Sequence, residues 1–458
     1  MTPSTKTLLR RSLLAAVLLT AGPAQALDAG RALERAVDAA REGHHGLART
    51  LLDPVTIAPG LPQEGRALAY HLRGLMFYRD GLYVSAGQDY RRALEFDPTL
   101  AAARAALAWL HLHGLGVPRD PREAVRLYRL AARQGHTEAR FNLALLLERG
   151  TGARPDAAEA VHWFEAAAED GRVEAMLQAA RLLRDGAPRG GLSADPARAE
   201  RWLTRAASRG ETRAQYELGE LLRETDPPRA AGWLQQAAAR GFAAAQERLG
   251  QLYLEGRGVP EDPERARMWL KEAAKQGDLG AQVRLAWLYD TGGGLAPEPE
   301  EALRWYLRAA RRDEPTAQLN LGLLYQRGRG TERDLASAAY WLERAAEQGD
   351  DDASRALAWL LATADDPRLR DAPRALALVE EAAPTTSDAS FLETLAAALA
   401  ANGRFEDAVA VQEQAITVLA DGGGAPAADP PEGRARGAEL RARLERYRAA
   451  RPPWADTD

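Results

Sequence analysis

One phrase fixes what this chain can fold into. Ala-Ala-x-x-Gly closes seven consecutive segments, at Gly135, Gly171, Gly210, Gly241, Gly277, Asp313 (in place of Gly) and Gly349, with successive spacings of 36, 39, 31, 36, 36 and 36 residues. Eleven residues before each end point stands an Ala: Ala124, Ala160, Ala199, Ala230, Ala266, Ala302 and Ala338. Eight before it stands Leu127 in the first segment and Trp163, Trp202, Trp233, Trp269, Trp305 or Trp341 in the others. A period in this range marks an array in which each unit buries its apolar face on its neighbours.

Helical geometry assigns the roles. Positions eleven, eight and four before the end share one helix face. The small residues let a neighbouring helix approach closely, and the Trp is expected to fill the gap between units, burying about 200 Å². The terminal Gly suits a left-handed C-cap, a conformation that Asp313 tolerates better than most residues. The other half of each unit reads as a second helix with its own small positions, as in Ala245…Leu249-Gly250…Tyr253 and Ala317…Leu321-Gly322…Tyr325. Gly-rich turns join the halves, as in Gly256-Arg-Gly258-Val259-Pro-Glu-Asp262, and the Asp is placed to cap the helix that follows. The segment ending at Gly241 lacks this turn and the one ending at Gly210 lengthens it, so the array should bend locally there. Abundant Ala, Leu, Glu and Arg agree with helix, and sparse Val, Ile and Thr disfavour a large sheet.

The A-x3-LG-x2-Y, G-x-GV-x2-D and A-x2-W-x3-AA-x2-G patterns resemble the Sel1-like repeat family of the tetratricopeptide superfamily. The resemblance implies an all-α, right-handed α-solenoid with a long concave groove. It covers seven units over 100–349. A unit at 66–99 and another at 388–420 look like ordinary tetratricopeptide repeats. Residues 27–65, with a helix pair at about 29–52, form an N-terminal cap, and 350–387 a degenerate helix pair. Residues 421–433 (DGGGAPAADPPEG) are a linker by composition, and 434–458 a basic helix and tail. The stripe Leu440, Leu444 and Tyr447 should pack that helix on the last unit as a cap, with its arginines solvated.

The N-terminus has the layout of a secretory signal over 1–26. Lys6, Arg10 and Arg11 precede the apolar run 13–20, and Ala24-Gln25-Ala26 sets cleavage after Ala26. The run is too short to span a bilayer, and no later stretch is apolar for long enough. Removing 1–26, which holds three basic and no acidic residues, takes the formal charge from -5 to -8. A periplasmic or secreted protein without an integral membrane segment is therefore expected. The acidic balance disfavours nucleic acid.

Catalytic apparatus is hard to find. The chain has no Cys, so no disulfide, thiolate nucleophile or thiolate metal site. Gly-x-Ser-x-Gly, His-Glu-x-x-His and Walker patterns are missing. Some members of the family carry a β-lactamase assignment, but a serine lactamase needs Ser-x-x-Lys, which this chain lacks. The Gly-rich turns lie between helices and not after a strand, so they fail as phosphate loops. His44-His45 and His111-x-His113 do not share a helix face, which disfavours metal binding. We assign no catalytic, cofactor or metal residue.

Three Trp stand apart. Trp109, Trp287 and Trp359 follow the small position of the first helix (Ala108, Ala286, Ala358), where the resemblance implies groove contact with a ligand. The equivalent residues Leu145, Arg181, Glu220, Gln251 and Leu323 differ in type, as a surface with its own specificity would. Packing between adjacent first helices is the alternative. The candidate partner-binding residues are Trp109, Asn142, Tyr216, Glu220, Arg248, Gln251, Trp287, Asn320, Arg327 and Trp359. The family resemblance implies a protein partner, as a scaffold in envelope or exopolysaccharide assembly or as a periplasmic regulator of a sensor kinase. Partner identity and oligomeric state stay open.

Overall fold

The computed structural model describes residues 23–58, 61–381, 388–420 and 430–454. Among them the chain forms twenty-three α-helices and no β-strand. It divides into two compact units, one ending at Leu221 and the other starting at Leu222.

The first unit opens with α1 (Pro23–Arg41) and α2 (His45–Ile57), followed by α3 (Gln63–Arg79) and α4 (Tyr83–Phe96). Three hairpins' worth of helices then follow: α5 (Ala101–His113), α6 (Pro121–Arg133), α7 (Thr137–Arg149), α8 (Ala157–Glu169), α9 (Val173–Asp185) and α10 (Pro196–Ala207). Helix α11 (Thr212–Leu222) ends at the division. The expected helix pair at 29–52 is thus present as α1 and α2, while residues 1–22 of the signal-like segment lie outside the described residues.

The second unit holds α12 (Pro227–Ala239), α13 (Ala243–Glu255), α14 (Pro263–Lys275), α15 (Leu279–Thr291), α16 (Pro299–Ala310), α17 (Pro315–Arg327) and α18 (Leu335–Ala346). It continues with α19 (Asp351–Thr363), α20 (Ala372–Glu381), α21 (Ala389–Ala401), α22 (Phe405–Ala420) and α23 (Pro430–Arg448). Helix α23 begins inside the stretch read as a linker, of which 421–429 lies outside the described residues. Each unit is an all-α solenoid segment of helix-turn-helix repeats, with the core between the layers of first and second helices.

Punctuation follows the sequence closely. Asp120, Asp156, Asp195, Asp226, Asp262 and Asp334 each accept a backbone N–H in the first turn of the helix they precede. Glu298 stands at the same place before α16 and makes no such bond. Asp313 does adopt a left-handed φ of 60°, where the other closing positions carry Gly. The lengthened turn before α10 holds a single turn of 3-10 helix and one antiparallel bridge, Ala187 to Leu192.

The second glycine of four Gly-x-Gly turns carries a constraint that spacing alone does not reveal. Gly258 has φ 75°, and a Cβ there would lie 2.2 Å from the carbonyl oxygen of Pro227, at the start of α12. Gly116, Gly152 and Gly330 make the same approach to Tyr83, Pro121 and Pro299. The turn of one hairpin thus rests directly on the backbone opening the second helix of the hairpin before it.

Core packing corrects one expectation. All seven Ala found eleven residues before the unit ends are fully buried. The Trp eight before the end is buried only at Trp163 and half-buried elsewhere. The fully enclosed residue is its neighbour: Tyr128, Phe164, Leu203, Leu234, Leu270, Tyr306 or Leu342. The larger indole keeps part of its surface outside the core, and two of the N–H groups meet a carboxylate. Trp163 donates to Glu159 at 3.1 Å and Trp202 to Glu165 at 2.9 Å.

A second structural device was not anticipated. Directly after the first small residue of the first helix sits a buried Gln, at Gln215, Gln246, Gln282 and Gln318. Its amide donates a second hydrogen bond to a carbonyl at the end of the preceding second helix, Ala207, Ala238, Ala274 or Ala310, at 3.0–3.3 Å, beside the one from the backbone N–H of the closing residue. Gln276 then donates to the Gln246 amide oxygen at 2.7 Å, and Gln348 to that of Gln318 at 2.8 Å, from the end of the second helix of the same hairpin. At Gln282 the corresponding residue is Arg312, which donates to the Gly277 carbonyl instead, and the Gln282 oxygen stays buried without a partner.

Two stability contrasts follow. Gly241 has φ 83° but open space around its missing Cβ, so Gly241→Ala should cost about 1–2 kcal/mol, the strain of the left-handed region. Gly258→Ala adds a backbone collision worth about 1–3 kcal/mol more and should lower the chemical-denaturation midpoint further. Gln318→Ala removes the bonds to Ala310 and Gln348, for about 1–3 kcal/mol. Gln282→Ala removes one bond together with an orphaned oxygen and should cost no more than about 1 kcal/mol in the same denaturation series.

Candidate partner-binding face

In each first helix the residues turned toward the second helices are buried. Those two, three, six and ten places after the first small residue lie on the opposite side and keep part of their surface. All ten candidate residues fall on this side, as their i, i+3 and i, i+4 spacing requires.

In the first unit, Trp109 on α5 is 37% exposed and packs against His113 one turn on, ring centroids 4.1 Å apart. Asn142 on α7 is half-buried beside the Tyr128 phenol, whose pKa burial raises. Farther along the same face Arg181 ion-pairs with Glu148 and also donates to Gln178 at 3.2 Å. Tyr216 and Glu220 on α11 are half-buried and each is engaged in polar or electrostatic contacts.

In the second unit, Arg248 donates to the Gln251 side chain at 2.6 Å, and Gln251 donates to Glu255 at 2.6 Å, a chain of bonds along α13. Arg284 on α15 donates to Glu247 at 2.5 Å and holds adjacent first helices in register. Trp287 is 46% exposed, with the Gly292–Gly294 turn folded beside its ring. Asn320 donates to its own backbone at Thr316, 2.8 Å away, and Arg327 is exposed at the end of α17.

Trp359 departs from the expectation of an open groove residue. It packs against the core of the last hairpins, and the Arg443 guanidinium of α23 lies over its ring at 4.7 Å. The arginines of α23 are correspondingly not all solvated: Arg443 ion-pairs with Glu393 on α21, and Arg436 approaches the same carboxylate at 3.7 Å. Leu440, Leu444 and Tyr447 are buried, as the apolar stripe implied. Sequence reading had singled out neither Glu393 nor the Glu148–Arg181 and Glu247–Arg284 pairs. Each joins separate helices, and the periodicity within one helix carries no signal for it.

Among the described residues no three His, Cys, Asp or Glu side chains come together in an arrangement that could hold a metal ion, and no helix is long and apolar enough to cross a membrane. His45 instead contacts Asp80 at 2.8 Å, and His136 caps α7 by accepting from Ala139 at 3.1 Å. A third histidine, His71, is half-buried with His136 nearby, and desolvation lowers its pKa to about 4.

The model of the Sel1 repeat matches eight segments: 67–96, 101–136, 137–171, 173–211, 212–242, 243–278, 280–314 and 315–350. The first of these is the unit read above as an ordinary tetratricopeptide repeat. Among solved structures, a protective antigen present in uropathogenic Escherichia coli strains and displaying an SLR fold is 26% identical, with a TM-score of 0.61, covering 83% of this chain and 88% of that one. A Sel1 repeat protein from Oxalobacter formigenes is 29% identical, with a TM-score of 0.52, covering 64% of this chain and 87% of the other. No curated protein matches the chain.

The exposure of Trp287 separates it from the structural aromatics. Trp287→Ala should leave the unfolding midpoint within about 0.5 kcal/mol of the parent. Tyr306→Ala, at a site 1% exposed in the following helix, should cost about 3–5 kcal/mol. A large loss at Trp287 in thermal melts would make it a packing residue.

Proposed function

The chain belongs to the Sel1 repeat family, and we propose that it is an exported, periplasmic adaptor that binds a partner protein on the exposed side of its first helices. Proteins of this family generally mediate protein–protein interaction and are generally non-catalytic. The observation that carries the finer reading is the pair Trp109 and Trp287. They occupy the same repeat position in different hairpins, and each leaves a third or more of its surface in water. An indole presented on a rigid helix forfeits little conformational entropy on binding and supplies a large apolar area, which is why Trp is enriched among interface anchors. The polar neighbours on this side, Arg284 with Glu247 and Arg248 with Gln251, are already paired, so they suit the rim of an interface.

Export is supported by the basic, apolar and small-residue order of 1–26 and by the absence of Cys, which frees folding from any redox requirement. The antigen role named for the Escherichia coli protein fits a place outside the cytoplasm. Within this reading the chain acts as a scaffold in envelope or exopolysaccharide assembly.

Capture from periplasmic and envelope extracts with the full chain tests the proposal. A triple variant, Trp109→Ala, Gln251→Ala and Trp287→Ala, with an unchanged circular dichroism melt, should lose the captured partner, each Trp contributing about tenfold or more in affinity. Equal capture by parent and variant would move the binding surface elsewhere. Capture of a sensor kinase, with no assembly component, would replace the scaffold role by a regulatory one.

A further inference from the structure

We infer that the Trp359–Glu393 position is a seat for an arginine-bearing amphipathic helix, occupied in cis by α23 and open to a partner helix of the same pattern. This rests on the adaptor reading above for the face concerned, and it names the chemistry of the segment bound there.

Trp359 is the repeat equivalent of Trp109 and Trp287, yet it is the one of the three that is covered. What covers it defines what the position accepts. The Arg443 guanidinium stacks on the indole, and its other side meets the carboxylate of Glu393, whose side chain is only 14% exposed. Arg436 reaches the same carboxylate and donates to Ser390. An aromatic face beside a sheltered carboxylate selects a planar cation over an ammonium. On either side of Arg443, Leu440 and Leu444 are buried, and Tyr447 enters the apolar cluster of Ala396, Leu399 and Ala408. The ligand pattern is therefore Leu-x-x-Arg-Leu-x-x-Tyr, which is helix-in-groove recognition with a charged anchor.

The resident helix fits its seat incompletely. Gln412 donates to the Leu440 carbonyl at 3.0 Å, but its own side-chain oxygen is buried with no partner, and so is the Tyr447 hydroxyl. Buried polar groups left unpaired weaken an interface. Helix α23 also carries Gly433 and Gly437, which lower its intrinsic helicity, so its order depends on the seat. It is joined to α22 through residues 421–429. A short tether supplies an effective concentration on the order of millimolar, so a modest intrinsic affinity is enough to keep the site filled until a better-matched helix arrives.

The test uses the full chain and a fluorescent peptide of residues 430–448. In a release variant, Leu440→Asp with Leu444→Asp, the peptide should bind at least about tenfold more tightly than to the parent, whose own helix competes. Adding Glu393→Gln and Trp359→Leu to the release variant should weaken binding about tenfold or more, and so should Arg443→Ala in the peptide. Equal affinity for parent and release variant, or indifference to Arg443, overturns the inference. Hydrogen exchange on the unaltered chain covers the case in which the release variant misfolds. Amides of 438–447 should open at lower free energy than those of 391–400, and exchange only through unfolding of the whole hairpin overturns the proposal. Concentration-dependent dimerisation of the parent at the peptide's affinity would assign the seat to a second copy and remove the external partner. None of these readouts involves Trp109 or Trp287, so the adaptor reading stands or falls separately.

Discussion

The array depends on how closely one hairpin can lie on the backbone of the hairpin before it. At Gly258 the distance that a Cβ would have to the Pro227 oxygen, 2.2 Å, leaves no room for any side chain. The same turn must take a left-handed φ, so both requirements fall on one residue. Once the turn sits there, the helix before it and the Asp-capped helix after it are aimed, and the small residues of each face meet their neighbours. Gly250 and Gly322 extend the rule into the helices, where a Cβ would come within 2.7 Å of Leu270 or Leu342. Close backbone approach thus sets the geometry, and the larger side chains fill what is left.

Close approach also explains the buried amides. When two helices pack with Ala and Gly between them, water is excluded from the end of the preceding helix, whose last carbonyls have no intrahelical partner. The backbone N–H of each closing residue meets one such carbonyl, and Gln246, Gln282 and Gln318 each add a second bond to it. Where the second helix of the same hairpin ends on Gln276 or Gln348, the amide oxygen is satisfied too, while the bond to Ala238 or Ala310 crosses to the repeat before. The ladder is therefore a consequence of tight packing as well as a contributor to it.

These causes decide what was legible in the sequence. Ala266 and its equivalents, the Asp caps and the left-handed Asp313 are local features, and their spacing gives them away. The division of labour between Trp269 and Leu270 was harder: both lie near the core side of one helix, and their adjacent positions do not say which of them the packing encloses. The Gln positions carried a visible repeat, but a polar residue in a buried register has meaning only once the carbonyl facing it is known. Trp359 shows the firmest limit. Its local pattern is that of Trp109 and Trp287, and the helix that covers it lies far along the chain, so no periodicity links Arg443 to Glu393.

The covered and uncovered Trp positions bear on each other. A solenoid end exposes a core face that must be closed, and α23 does this with Leu440, Leu444 and Tyr447. Closure alone does not call for an arginine stacked on an indole against a sheltered carboxylate, since buried charges gain little net stability over well-packed apolar groups. A charged anchor instead fixes which helix docks and in which register, the use for which such groups are best suited. Trp109 and Trp287 are exposed, and the helix of Trp287 is held by the Asp278 cap and by the Arg284 bond to Glu247. The repeat position that α23 fills at one hairpin is, at those two, presented to solvent.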